Sequence, residues 1–156
     1  MEKKSIHVWI YTVLIAGIIA ALLWALALNK NAKALEIDLE NQYNRAFHEM
    51  VGYIDSVDTL LSKAQISNSP AELATLSSDI FRQSAEAKSC MGQLPTGEIN
   101  LENTAKFLSQ VGDYTYVLSQ AMINGTQISQ EEYENLAALN DYASKLKNSL
   151  TEIENE

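Results

Sequence analysis

The chain has 156 residues, a formal net charge of -9 and 47% hydrophobic residues. Six Gly and two Pro make up about 5% of it, against about 12% in average usage, so loop-rich, collagen-like and Pro-rich disordered classes are excluded and a helical protein is favoured. One Cys excludes a disulfide framework and any paired-cysteine zinc or redox centre, two His leave too few ligands for zinc or copper, and twenty Asp plus Glu against eleven Lys plus Arg argue against nucleic acid. No cofactor or metal is expected.

Between Lys4 and Lys30 there is no charged residue, and 6–28 is an apolar run whose only ionisable group is His7. At about 1.5 Å per residue the run covers roughly 30 to 35 Å, enough for the hydrocarbon layer of a bilayer. It is expected to be a transmembrane helix, with Trp9, Tyr11 and Trp24 near its ends as membrane-interface residues. Ala25-Leu26-Ala27 fits a signal-peptide cleavage pattern, but the run exceeds the usual length of about 7 to 15 residues, which favours an uncleaved anchor. Lys3 and Lys4 before the span nearly balance Lys30 and Lys33 after it. The short N-terminal tail makes the signal anchor the simpler topology: N-terminus cytoplasmic, residues 30–156 outside.

The rest reads as four helices, at about 29–67, 70–91, 101–124 and 130–153. Tyr43, Ala46, Met50, Tyr53, Val57, Leu60 and Ala64 alternate steps of three and four, a heptad seam widened by Phe47, Val51, Ile54 and Leu61. Ser69 is a natural N-cap before Pro70, and Leu73, Leu76, Ile80, Ala87 and Met91 give the second helix its apolar set. Asn100 can cap the third helix, where Leu101, Thr104, Leu108, Val111, Thr115, Leu118 and Met122 repeat the pattern and Gly125 supplies a left-handed end. Ser129 and Glu132 form a capping box for the fourth, whose stripe is Leu136, Leu139, Ala143, Leu146, Leu150 and Ile153. The fold expected is all-α: a single N-terminal transmembrane helix continuing into an up-down-up-down four-helix bundle. Its divisions are a tail at 1–5, the span at 6–28, a helical neck at 29–45 and the bundle at 46–156.

Length separates the neck from the bundle. The first aqueous helix is long enough to outreach its three successors, leaving residues 30 to about 45 without a sibling helix, while Ala32, Leu35, Leu39 and Ala46 continue the heptad spacing. One reading is a solvated stalk with scattered leucines. The other is a two- or three-stranded coiled coil with a second copy or another tethered helix, which confinement to a membrane plane would assist. Glu36, Asp38 and Glu40 would repel in a parallel homodimer, favouring a basic or mixed-charge partner, although a homo-oligomer stays open. In the third helix, Phe107, Tyr114 and Ala121 widen one flank and Gly112, Tyr116 and Ile123 the other, and Gly112 in mid-helix implies close approach of a neighbour.

No catalytic constellation is visible. His48 and Glu49 are adjacent and do not face each other on a helix; Asp55 and Asp58 do share a face, read as solvated charge. Cys90 lies near a helix end where the dipole does not favour a thiolate.

Several strings resemble the N-terminal region of the spore germination protein YpeB family: 41–48 (NQYNRAFH), 92–95 (GQLP), 107–116 (FLSQVGDYTY), and Ile128-Ser129 with Tyr133 and Leu136. Order and spacing match over about residues 36–150, after one membrane anchor. The resemblance implies a spore inner-membrane protein facing the cortex, needed for the presence and regulation of the cortex-lytic transglycosylase SleB, with catalysis belonging to SleB. The family carries C-terminal PepSY domains, whereas this sequence stops at Glu156 without them, as the anchor and helical domain of a longer protein or as a truncated relative. The expected role is thus a non-enzymatic, membrane-anchored interaction protein for a SleB-like enzyme. Its contact residues are expected at Leu35, Leu39, Tyr43, Arg45, Phe47, His48, Gly112, Tyr114 and Tyr116. The alternative is an extracytoplasmic four-helix-bundle sensor or ligand-binding domain.

Overall fold

Four helices and no strand make up the described residues of the computed structural model: α1 (Glu2–Ile66), α2 (Pro70–Met91), α3 (Glu102–Ile123) and α4 (Gln130–Glu154). The structure describes residues 2–95 and 101–154, and within 2–32 the side-chain environment of positions 14, 17, 24 and 30 only. Two compact units divide the chain, Met1–Gln42 and Tyr43–Glu156.

The first unit is helical. α1 has no Pro to stop it before Pro70. Leu35, Ile37 and Leu39 are exposed, at 62%, 58% and 40%. Among the described residues, no helix is long and apolar enough to cross a membrane. Trp9 and Tyr11, and most other side chains of the apolar run at 6–28, lie outside the described residues; Trp24 is exposed.

The second unit packs the rest of α1 with α2, α3 and α4 in antiparallel succession. Ser67 at the α1–α2 turn meets Tyr133 near the start of α4, while His48 meets Glu154 near its end, so α1 and α4 run in opposite directions. Ala74 and Ser84 of α2 face Ser119 and Gly112 of α3 in reversed order, and Tyr114 and Phe107 of α3 face Glu132 and Tyr142 of α4 likewise. The short connections at 67–69 and 124–129 favour antiparallel neighbours.

Local chemistry sets the helix ends. Ser69 Oγ accepts from the Glu72 amide at 3.4 Å, with Pro70 at the first helical position, where its missing N–H costs nothing. α3 has Leu101 at its N-cap with no side-chain cap bond, and the expected cap Asn100 lies outside the described residues. At its other end Gly125 has φ +85°, its amide donates to Met122 O at 3.0 Å, and Thr126 donates to Ala121 O at 3.0 Å. That is a Schellman motif, which needs a left-handed residue and so favours glycine. Ser129 and Glu132 exchange bonds, amide to side chain in both directions, closing the capping box.

The core follows the heptad seam. Met50, Ile54, Val57 and Leu61 of α1 are fully buried, as are Ile80 of α2, Val111 of α3 and Leu136 of α4. α2 and α3 each bury more residues than α4, which commits only Leu136, Ala143 and Leu150 to the interior. Leu139 and Leu146 are half-buried and Ile153 is exposed, so the stripe expected along α4 is narrower than its sequence pattern.

Candidate functional site

The exposed leucine edge of the first unit is the clearest unpartnered apolar feature near residues expected to touch a partner. Leu35 and Leu39 lie one helical turn apart and share a face. Lys33, Glu36, Asp38 and Glu40 around them are exposed, so the edge is a narrow apolar line in a charged surface.

At the start of the second unit the cluster at 43–48 separates into different roles. Tyr43 is half-buried, and Arg45 is exposed with its guanidinium 3.8 Å from Glu49. Phe47 is buried in the core, so its ring is taken up by the bundle itself. His48 binds Glu154 through Nδ1. Glu49, the neighbour of His48, turns away to Arg45 and to Cys90, whose Sγ lies 3.8 Å from its carboxylate. Burial, followed by the Glu49 carboxylate, pushes the Cys90 thiol above its ordinary value, keeping it protonated and unreactive.

The α3 positions divide in the same way. Gly112 is buried against α2: a Cβ there would lie 3.5 Å from Ser84 Cβ and 3.8 Å from the Phe81 ring. The close neighbour that a mid-helix glycine implies is therefore α2. Tyr114 is half-buried and donates to Glu132 O at 3.3 Å; burial raises its pKa, partly offset by a hydrogen bond from Asn135. Tyr116 is half exposed and leans on Phe81, ring centres 5.2 Å apart. Of the expected contact residues, then, Leu35, Leu39, Arg45, His48 and Tyr116 reach the surface, whereas Phe47 and Gly112 serve the interior.

Sequence reasoning missed a polar seam between α1 and α4. Asp58 Oδ1 accepts from Asn140 Nδ2 at 2.9 Å and from Ser144 Oγ at 2.5 Å, and Oδ2 lies 3.6 Å from Lys147 Nζ. Asn140 also donates to Asp58 O and accepts from Gln65 Nε2 at 2.8 Å and Ser62 Oγ at 3.2 Å. Lys147 bridges onward to Asp55, and that bond, ahead of the charges of Asp55 and Asp58, raises the lysine pKa. Asp55 and Asp58 are thus cross-helix acceptors and not the solvated pair expected. Asn140, Ser144 and Lys147 recur at helical spacing, but only the antiparallel register sets them opposite the acceptors of α1. Among the described residues no group of three or more His, Cys, Asp or Glu could hold a metal ion.

Residues 31–156 match the family model described as YpeB N-terminal. The chain belongs to the YpeB family. Its curated relatives include the sporulation protein YpeB of Halalkalibacterium halodurans, 31% identical over 137 residues covering 88% of this chain and 31% of the relative. The sporulation proteins YpeB of Oceanobacillus iheyensis and Bacillus subtilis are 29% and 26% identical, over 91% and 84% of this chain and 32% and 29% of their own lengths. The chain spans about a third of the length of the curated relatives it matches. No solved structure matches it. The string at 107–116 places Phe107, Leu108, Val111, Gly112 and Thr115 in the interior, so much of that family likeness is packing.

Proposed function

We propose that the chain is a membrane-anchored, non-enzymatic interaction protein that binds and stabilises an extracytoplasmic cortex-lytic enzyme of the SleB type during spore formation and germination. Membership in a family of proteins named for sporulation supports the setting. The uncharged run at 6–28 supports a single-pass anchor, which we place in the spore inner membrane with the N-terminus cytoplasmic and the bundle outside. The observation that carries the docking role is the exposed pair Leu35 and Leu39. A narrow leucine line flanked by charges suits one helix of basic or mixed charge, because an apolar seam supplies affinity and the flanking charges select the partner. A second copy of this chain is the competing occupant.

The test is a spore strain carrying Leu35→Asp and Leu39→Asp, both exposed positions whose change leaves the bundle core intact. Loss of the cortex-lytic enzyme from the inner membrane, with the variant itself retained, is the expected result. Unchanged enzyme level and placement would overturn the reading. The alternative of a ligand-binding domain has one feature behind it, a groove between α3 and α4.

A further inference from the structure

Asn103, Lys106, Phe107 and Gln110 recur at intervals of three, one and three, which places them along one stripe of α3. Together with Leu139 and Tyr142 of α4 they line a concavity of about 330 Å³. An aromatic pair is part of its lining. Phe107 is buried and Tyr142 is 44% exposed, their centroids 4.7 Å apart and their planes inclined by 29°. With one face of Tyr142 covered by Phe107, the accessible surface of the phenol ring lies on its other face and edge. The stacked partner fixes that ring before any ligand arrives, so its ordering adds little to the cost of binding.

The polar groups around this ring are uncommitted. Asn103, Lys106 and Gln110 are exposed and make no hydrogen bond or ion pair with described residues, in contrast to Asn140 on the other side of α4. An oriented aromatic face beside the side chains of Asn103, Lys106 and Gln110 offers an apolar surface and convergent polar groups in one small concavity, a mix more polar than most small-molecule sites and suited to a polar ligand. The amides both donate and accept, which suits a ligand rich in hydroxyl or acetamido groups. Charge narrows the class. The unit from Tyr43 onward holds seven Lys plus Arg against sixteen Asp plus Glu, and Glu102 stands one turn before Lys106, so phosphate-bearing or multiply anionic ligands are disfavoured.

We infer that the α3–α4 groove binds an uncharged saccharide ring, its C–H face against Tyr142 and its hydroxyl or acetamido groups toward Asn103, Lys106 and Gln110. This is independent of the leucine edge of α1 and survives if that docking role fails.

The test is an NMR titration of the full chain in detergent micelles with glucose, N-acetylglucosamine and adenosine, following the Tyr142 ring and the side-chain amides of Asn103 and Gln110. Saturable shifts at all three with one or both sugars, in the millimolar range, are expected. Tyr142→Ala should weaken binding roughly three- to tenfold, the worth of one aromatic contact. Gln110→Ala, at an exposed position, should weaken it as well without touching the aromatic pair. No saturable shift with either sugar, sugar shifts unmoved by both substitutions, or a response to adenosine alone would overturn the assignment.

Discussion

α2 and α3 meet through size, whereas α1 and α4 meet through hydrogen bonds. On the α2–α3 side small buried residues of α2 (Ala74, Ser77 and Ser84) meet small buried residues of α3 (Gly112, Thr115 and Ser119), and among the described residues the side-chain bond across the contact is Ser119 Oγ to Ala74 O at 3.0 Å. On the α1–α4 side a chain of polar groups from Gln65 through Asn140, Asp58 and Lys147 to Asp55 runs along the contact, and α4 adds three buried residues, Leu136, Ala143 and Leu150. Close packing resists a large added side chain, and a polar network resists the loss of a partner. The two halves of the bundle should therefore fail under different substitutions.

The largest effect is expected at Asp58. Replacing it with Ala removes the acceptor of Asn140 and Ser144 and one of the two carboxylates beside Lys147, and should destabilise the bundle by about 3 kcal/mol in urea unfolding. Hydrogen exchange should show the amides of α4 losing protection before those of α2 and α3. Equal loss in all helices would erase the distinction.

On the other side, Gly112→Leu forces a branched side chain against Ser84 and Phe81 and should cost about 2 kcal/mol, while Gly112→Ala should be neutral or stabilising. A Cβ at that position meets only ordinary van der Waals contacts. Calorimetry of the two variants separates volume from helix propensity.

A smaller effect of opposite sign is expected at Ser77, whose hydroxyl is fully buried without a hydrogen-bond partner. Ser77→Ala removes that uncompensated group and should raise stability by about 1 kcal/mol. A loss of stability on chemical denaturation would mean that the hydroxyl is satisfied.

The mildest test is alkaline pH. The Cys90 thiol, the Tyr114 phenol and the Lys147 ammonium all have raised pKa values in the folded chain, the first two through burial and the third through Asp55. Each folded group holds its proton more tightly than its unfolded counterpart, so the folded state binds more protons at high pH and stability falls as pH rises. The Tm should be level near neutrality and decline above about pH 8, the range in which an unfolded thiol begins to ionise. A Tm that rises over that range would contradict those shifts.

Much of the fold is legible because helix punctuation is local chemistry. Ser69 with Pro70, Gly125, and Ser129 with Glu132 each carry their mechanism within a few residues, and each forms the bond or backbone angle its sequence calls for. Burial is legible where spacing is strict, as at Met50, Val57, Leu108 and Leu136. The contents of the α2–α3 contact are less so, because Ser77, Ser84 and Ser119 read as surface residues until a close approach encloses them. The α1–α4 seam is illegible for a related reason: Asp58, Asn140 and Lys147 have the composition of a solvated face, and only the antiparallel register brings them opposite one another. Phe47 illustrates the converse, since an aromatic beside a polar cluster suggests a contact surface but fills the core.

The leucine edge of α1 behaves unlike either half of the bundle, since its side chains are exposed where an equivalent pattern at Val57 and Leu61 is sealed. Site-specific photocrosslinking from Leu35 and Leu39 in the native membrane, with buried Phe47 as an internal control, tests its role most directly. Capture of a SleB-type enzyme from the two leucines, and capture only within the same chain from Phe47, is the expected result. Lipid and solvent adducts alone, or this chain alone, at Leu35 and Leu39 would contradict it.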